Sequence, residues 1–177
     1  MYKDVSLSFF SDNGVFSKNE IDVGSAALVE TIVNNINQKH LNILDVGCGY
    51  GFIGITLSKL LDSHVDMIDV NLRAIHLANM NVKNNKVDSC AFESDVFQNI
   101  TNKYDLIVTN PPIRAGKEVV LKILLEAKDH LLDSGGLWFV IRKNQGAKSV
   151  VKQLENFYDV SLLKRHKGFY CFLATLK

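Results

Sequence analysis

Four short runs rich in Val, Ile, Leu and aromatic residues alternate with amphipathic stretches, and this alternation constrains the fold more than any other feature. The runs are Leu41–Val46, His64–Val70, Tyr104–Asn110 and Leu137–Arg142. Segments that short and that apolar suit strands buried on both faces. Between them, Phe52–Leu61, Leu72–Asn84 and Lys117–Leu132 carry apolar residues at helical spacing. Val119, Val120, Ile123, Leu124, Ala127, Leu131 and Leu132 form one stripe, and Ser134-Gly135-Gly136 is expected to turn the chain into the next strand. Further helices are expected at Val23–Ile36 and around Ala147–Asn156, and a short strand near Ser89–Phe92. Asp159–Lys164 and Gly168–Leu176, with a short turn around Arg165–Lys167, predict an antiparallel hairpin. The expectation is one α/β domain over residues 1–177, with a mostly parallel sheet that ends in a hairpin.

Composition excludes several classes. Apolar residues make up 47% and charged residues 22%, so a disordered or fibrous chain is ruled out. A net charge of +1 gives no composition-wide argument for nucleic acid or membrane. Cys48, Cys90 and Cys171 are far apart and lack CxxC spacing, which argues against a disulfide scaffold and fits a reducing cytoplasm. The start, MYKDVSLSFFSDNG, lacks the pattern of a signal peptide. His40, His64, His76, His130 and His166 show no metal-ligand spacing, so no metal is expected. Gly116-Lys117 ends like a phosphate-binding loop, but Pro111 stands where its first glycine should be.

The richest local motif is Ile43-Leu44-Asp45-Val46-Gly47-Cys48-Gly49-Tyr50-Gly51-Phe52-Ile53-Gly54, at a strand-to-helix handover. Gly49, Gly51 and Gly54 satisfy G-x-G-x-x-G, and Asp69 follows Gly49 by twenty residues, as in a dinucleotide site. A plain tight turn would look the same. Asp45, two positions before Gly47, moves the reading away from a pyrophosphate, because an acid suits a cation better than an anion. The D-x-G-x-G-x-G stretch resembles motif I of class I S-adenosylmethionine-dependent methyltransferases. That resemblance implies S-adenosylmethionine as cofactor, held by Asp45, Gly47, Cys48, Gly49 and Gly51. It assigns the ribose hydroxyls to Asp69 with Val70 beside it, and the adenine amino group to Asp95 with Val96. Asp69 could otherwise cap a helix and Asp95 could be a turn residue; Asp66 reads as an edge charge.

Both prolines of the chain are adjacent, in Asn110-Pro111-Pro112-Ile113. Proline restricts the residue before it to extended geometry and has no N–H to donate. The segment therefore offers carbonyl oxygens on a rigid rim. The Asn110 side-chain carbonyl and the Pro111 backbone carbonyl could together accept hydrogen bonds from one exocyclic amine. Asn-Pro-Pro after a fourth strand resembles motif IV of amino-group methyltransferases, which implies Asn110, Pro111 and Pro112 as the catalytic rim, with Asn110 also bordering the cofactor. Where that family often has Tyr or Phe this chain has Ile113, and Phe16 is the candidate stacking aromatic in its place.

The lead-in Gly14-Val15-Phe16-Ser17 … Ile21-Asp22-Val23-Gly24-Ser25 resembles that of the small-domain methyltransferases, including the catalytic half of bacterial 16S ribosomal RNA guanine-N2 methyltransferases. The resemblance implies a Rossmann-like seven-stranded sheet of order 3-2-1-4-5-7-6, helices on both faces, and guanine N2 of ribosomal RNA as the acceptor. Residues 139–177 hold eight basic and two acidic side chains, a net +6, against −5 for the rest. With Ile113, Arg114 and Lys117 near the site, that basic end could receive an RNA backbone. Methylation of a protein glutamine, and a non-catalytic RNA-binding assembly factor, are the alternative readings. Cofactor titration would test a dehydrogenase.

Overall fold

In the computed structural model, which describes residues 4–12 and 22–177, seven strands form one sheet of order β3-β2-β1-β4-β5-β7-β6. The strands are β1 (Asn42–Val46), β2 (His64–Asp69), β3 (Ser89–Glu93), β4 (Tyr104–Thr109), β5 (Leu131–Arg142), β6 (Tyr158–His166) and β7 (Phe169–Leu176). The first five pair in parallel, and β7 runs antiparallel to both β5 and β6. The expected order and the antiparallel ending are both found. Five helices, α1 (Val23–Asn35), α2 (Phe52–Leu61), α3 (Leu72–Asn85), α4 (Lys117–Glu126) and α5 (Ala147–Leu154), cover the sheet.

Alternate residues of each strand serve two separate cores. One side joins Ile43, Val65, Met67, Leu106 and Val108 to α1, α2 and α3. The other joins Leu44, Ile68, Ile107, Phe139 and Ile141 to α4 and α5. No helix among the described residues is long and apolar enough to cross a membrane.

Two expected boundaries are corrected. The helix predicted to reach Leu132 ends at Glu126; a 3₁₀ turn, Ala127–His130, follows and β5 begins at Leu131. Ser134-Gly135-Gly136 is therefore not a turn between elements. It belongs to an irregularity inside β5, where the register against β4 jumps from Tyr104↔Leu131 to Leu106↔Gly136. Leu131 looked helical in the sequence because its side chain continues the apolar stripe of α4 into the same core. Glycine is needed in the bulge: a Cβ on Gly135 would lie 2.9 Å from the carbonyl oxygens of both Tyr104 and Asp105. Gly135→Ala is expected to cost about 1–3 kcal/mol and to lower the melting temperature by roughly 5 °C, as read by circular dichroism. The hairpin turn is also tighter than expected, only Lys167-Gly168, both at positive φ (48° and 81°).

The chain before α1 is strapped to α3. Asn81 is fully buried; its side-chain carbonyl accepts from Phe10 N–H (2.7 Å), and its amide donates to Phe10 O (3.0 Å) and Tyr50 O (2.8 Å). Asn85 clasps Ser8 in the same two-way manner, at 3.0 and 2.9 Å. The strap seats Phe9 edge-on against Tyr50 and Phe52, so it braces the glycine loop from outside.

Candidate active site

The β1–α2 loop turns through three glycines in left-handed geometry, with φ of 73°, 56° and 99° at Gly47, Gly49 and Gly51. Only glycine adopts those angles readily. Gly47 and Cys48 both donate to Ile68 O at 2.9 Å, which ties the loop to the end of β2. Cys48 is buried, its thiol 3.5 Å from Gly49 O. A Cβ on Gly47 would find only Pro112 Cδ, 3.8 Å away, so the loop is open toward the proline pair.

Two acids occupy backbone amides that an anionic ligand would otherwise use. Asp45 is buried and accepts from Gly54 N–H, in the first turn of α2, at 2.9 Å. Asp69 accepts from Gly49 N–H through one oxygen and from Asn71 N–H through the other, each at 2.9 Å. The cap of α3 is Asn71, which accepts from Arg73 and Ala74, so Asp69 is not that cap. A loop whose amides already face carboxylates is a poor pyrophosphate cradle.

Burial is the main force on Asp45. It pushes the carboxyl up from 3.8 to about 7; the Gly54 N–H opposes the shift and the Asp69 charge adds to it. Its second oxygen, Oδ1, is buried with no hydrogen-bond partner. Because the folded pKa is raised, the folded state holds a proton that the unfolded state releases between about pH 4 and 7. Stability is therefore lost as pH rises through that window, by a few kcal/mol in order of magnitude. Asp45→Asn should flatten this slope and raise the ligand-free melting temperature at pH 8 by roughly 5 °C. Thermal melts of both proteins at pH 5 and pH 8 check it.

Asn110 leaves the end of β4 beside this loop. Its side-chain amide donates to Asp22 Oδ2 (2.6 Å) and to Ser25 Oγ (3.0 Å). The same Asp22 oxygen caps α1, accepting from Ser25 N–H at 2.9 Å and from Ser25 Oγ at 3.1 Å. A carboxylate only accepts, so the nitrogen side of the Asn110 amide must face Asp22 and the oxygen side must face away. Asp22, Ser25, Gly47, Cys48, Gly49, Tyr50, Phe52, Ile53 and Asn110 line one cleft. Pro111 is buried and Pro112 exposed. The Pro112 carbonyl accepts from Ala115 N–H (2.9 Å), whereas the Pro111 carbonyl takes no backbone hydrogen bond among the described residues.

The remaining expected residues fall in different places. Val70 is 62% exposed next to Asp69, with Leu72 at 64%, an apolar shelf at the strand end. Asp95 is exposed two residues beyond β3, in a turn closed by Gln98 N–H to Asp95 O (3.1 Å). Val96 is buried at φ 52°, a rare angle for a β-branched residue, held by Ser94 Oγ donating to Val96 O at 2.7 Å. Ile113 and Arg114 form a 3₁₀ turn beyond the prolines, Ile113 half-buried and Arg114 exposed. Lys117 turns to α5, donating to Ser149 Oγ at 3.0 Å. Phe16 lies outside the described residues. Asp22, Ser25 and Asn81 received no role from the sequence; the spacing Asp22-x-x-Ser25, an N-cap pattern, was the available signal.

An α/β sheet with a carboxylate-lined glycine loop after β1 and Asn-Pro-Pro after β4 defines a methyltransferase-type fold and cleft. The chain belongs to the methyltransferase small domain family, whose model matches residues 6–173. It is 44% identical over 97% of its length to the uncharacterized protein YbxB of Bacillus subtilis, covering 87% of that protein. It is 34% identical over 88% of its length to ribosomal RNA small subunit methyltransferase C of Haemophilus influenzae. The chain spans about half (48%) of the length of that second relative. Among solved structures, the T. thermophilus 16S rRNA N2 G1207 methyltransferase (RsmC), in complex with AdoMet and guanosine, superposes with a TM-score of 0.86. That match is 24% identical and covers 96% of this chain and 47% of the other. Ribosomal protein L11 methylase from Lactobacillus delbrueckii has the same fold, with a TM-score of 0.78 at 23% identity over 88% of this chain and 80% of the other.

Proposed function

We propose that this chain transfers a methyl group from S-adenosylmethionine to an exocyclic amine of RNA, with guanine N2 of ribosomal RNA as the acceptor. The observation that carries the reading is the fixed Asn110 amide. Its nitrogen is committed to Asp22 and Ser25, so its oxygen is available as an acceptor beside the glycine loop.

The residues present suit the cofactor. Asp22 and Asp69, whose carboxylates border the cleft and its loop, favour a cationic ligand over a phosphate. The open face of Gly47 leaves room for one to approach. Each Asp69 oxygen accepts one backbone N–H and keeps lone pairs for ribose hydroxyls. Val70 and Leu72 would flank the adenine ring and Asp95 its amino group. When bound, S-adenosylmethionine supplies a sulfonium methyl whose S–C bond breaks as the N–C bond forms.

The protein's own part is orientation. Asn110 Oδ1 and Pro111 O accept the two amine hydrogens, which turns the nitrogen lone pair toward the methyl. The same two acceptors stabilise the positive charge that develops on nitrogen, and the proton then leaves to solvent. A strong base is not required, because the electrophile is already cationic.

A basic border favours RNA. Arg142 stacks on Phe169 (4.4 Å to the ring centroid) and Arg165 on Tyr170 (5.5 Å). Phe169 packs against Gly24, two residues from Asp22: a Cβ there would lie 2.7 Å from its ring. Lys143 lies alongside, its N–H donating to Gly168 O in the β6–β7 turn. Lys164 is instead paired with Glu30 at 2.7 Å and holds that carboxyl below its ordinary pKa. The test incubates the chain with methyl-tritiated S-adenosylmethionine and total RNA and protein from a strain lacking it. Label in RNA supports the reading; label in protein alone replaces it with amide methylation.

A further inference from the structure

At the other end of the sheet, where the parallel strands begin, three side chains of metal-binding type converge. His64 and Asp66 share one face of β2, and Cys90 of β3 is the register partner of Asp66. His64 Nε2 lies 2.8 Å from Asp66 Oδ1, and Cys90 Sγ lies 3.3 Å from the same oxygen. The three potential ligand atoms all fall within 4.8 Å of one another. Asp66 is only 14% exposed at its side chain, and its other oxygen accepts from Tyr104 Oη at 2.7 Å. The connection from β3 to β4 contains no helix, which leaves this patch of the sheet uncovered. His64, Asp66 and Tyr104 line an open cleft there with Asn42, Asn102 and Lys103.

The placing of the His64 ring between two carboxylates is the informative feature. Its Nδ1 faces Asp88 Oδ1 at 3.1 Å while its Nε2 faces Asp66 Oδ1. A neutral imidazole has one N–H and one lone pair. Two carboxylates at these distances suit either an imidazolium, which both of them favour, or a neutral imidazole with a cation between Nε2 and Asp66. Asp88 holding Nδ1–H is the usual outer partner of a metal-bound histidine, and it aims the Nε2 lone pair at Asp66 and Cys90.

The geometry points to a binding site for a thiophilic divalent cation of the zinc type, held by His64 Nε2, Asp66 Oδ1 and Cys90 Sγ, with Asp88 orienting the imidazole. Tetrahedral zinc separates N and O ligands by about 3.3 Å, and S and O ligands by about 3.6 Å. The observed 2.8 and 3.3 Å would widen to those spacings by rotation of His64 and Asp66, which border the open cleft, and of the exposed Cys90. The cation takes the place of the Cys90 thiol proton, which is released to solvent. Three protein ligands leave a fourth position for solvent. The site lies apart from the methyl-transfer cleft and staples β2 to β3.

The test uses the untagged full chain, stripped with chelator and kept reduced, and titrated with Co²⁺ and then Zn²⁺. Expected is one equivalent of Co²⁺ with a sulfur-to-cobalt charge-transfer band, displaced by Zn²⁺, and a Zn²⁺-dependent rise in melting temperature. Cys90→Ser should lose the band, and Asp88→Ala should weaken Zn²⁺ binding by about tenfold. His64→Ala should lose stoichiometric binding while circular dichroism still reports the fold. Absence of the band at one equivalent, or its persistence in Cys90→Ser, overturns the proposal and leaves an imidazolium hydrogen-bonded to two carboxylates.

Discussion

Replacing Asn110 with Ala is expected to slow methyl transfer by about 10²–10³ while leaving affinity for S-adenosylmethionine nearly unchanged. The magnitude is that of losing one preorganised acceptor aimed at charge developing in the transition state. Single-turnover rates and cofactor calorimetry on the variant separate the two effects. Asp22 supplies a second probe, because its carboxylate holds the Asn110 amide at 2.6 Å while it also caps α1. Asp22→Ala frees that amide to rotate and should lower kcat, whereas Asp22→Asn keeps an acceptor and should recover much of the rate. Near-normal turnover in Asn110→Ala would falsify the role assigned to it.

Asp69→Ala should produce the second large effect, and on binding instead of rate. A carboxylate accepting two ribose hydroxyls makes two charge-assisted hydrogen bonds, each worth about 1.5–3 kcal/mol, so affinity should fall by roughly 10² or more. The substitution also releases Gly49 N–H and Asn71 N–H, both at 2.9 Å, and with them the form of the loop. Methyl transfer at saturating cofactor should survive far better than in Asn110→Ala. Asp69→Asn, which retains one acceptor for Gly49, should fall between. A Kd shift small beside that of Asp45→Asn would mean that the ribose is held elsewhere.

Much of this was legible in the amino-acid order, for identifiable reasons. Strands buried on both faces announce themselves as continuous apolar runs, so the central strands and their parallel pairing could be read directly. The hairpin was visible because Asp159–Lys164 and Gly168–Leu176 leave no room for a crossover helix. Boundaries failed where one residue type serves two structures. Leu131 continues the helical stripe of α4 and also begins β5, and Gly135-Gly136 is read as a stop when it is a bulge. Asn110 and the glycine loop were legible because proline and glycine carry backbone information in their identity. The partners of Asn110 were not, since Asp22 meets it across 88 residues of sequence. The Asn81 clasp and the His64–Asp66–Cys90 cluster were hidden in the same way. Each forms only when register or packing brings distant positions together.

The asymmetry of charge has a structural meaning as well. Asp22 and Asp69 border the glycine loop, and Arg142, Lys143 and Arg165 lie toward the β5–β7 end. A near-neutral total thus divides into an acidic rim suited to a cation and a basic border suited to a polyanion.

The most direct test is mass-spectrometric nucleoside analysis of RNA from a deletion strain, after incubation with the pure chain and methyl-deuterated S-adenosylmethionine. The account predicts one new labelled nucleoside methylated on an exocyclic amine, N2-methylguanosine, absent when Asn110→Ala replaces the native chain. Label on a ring carbon or on a ribose hydroxyl would contradict it, because neither presents two amine hydrogens to Asn110 and Pro111.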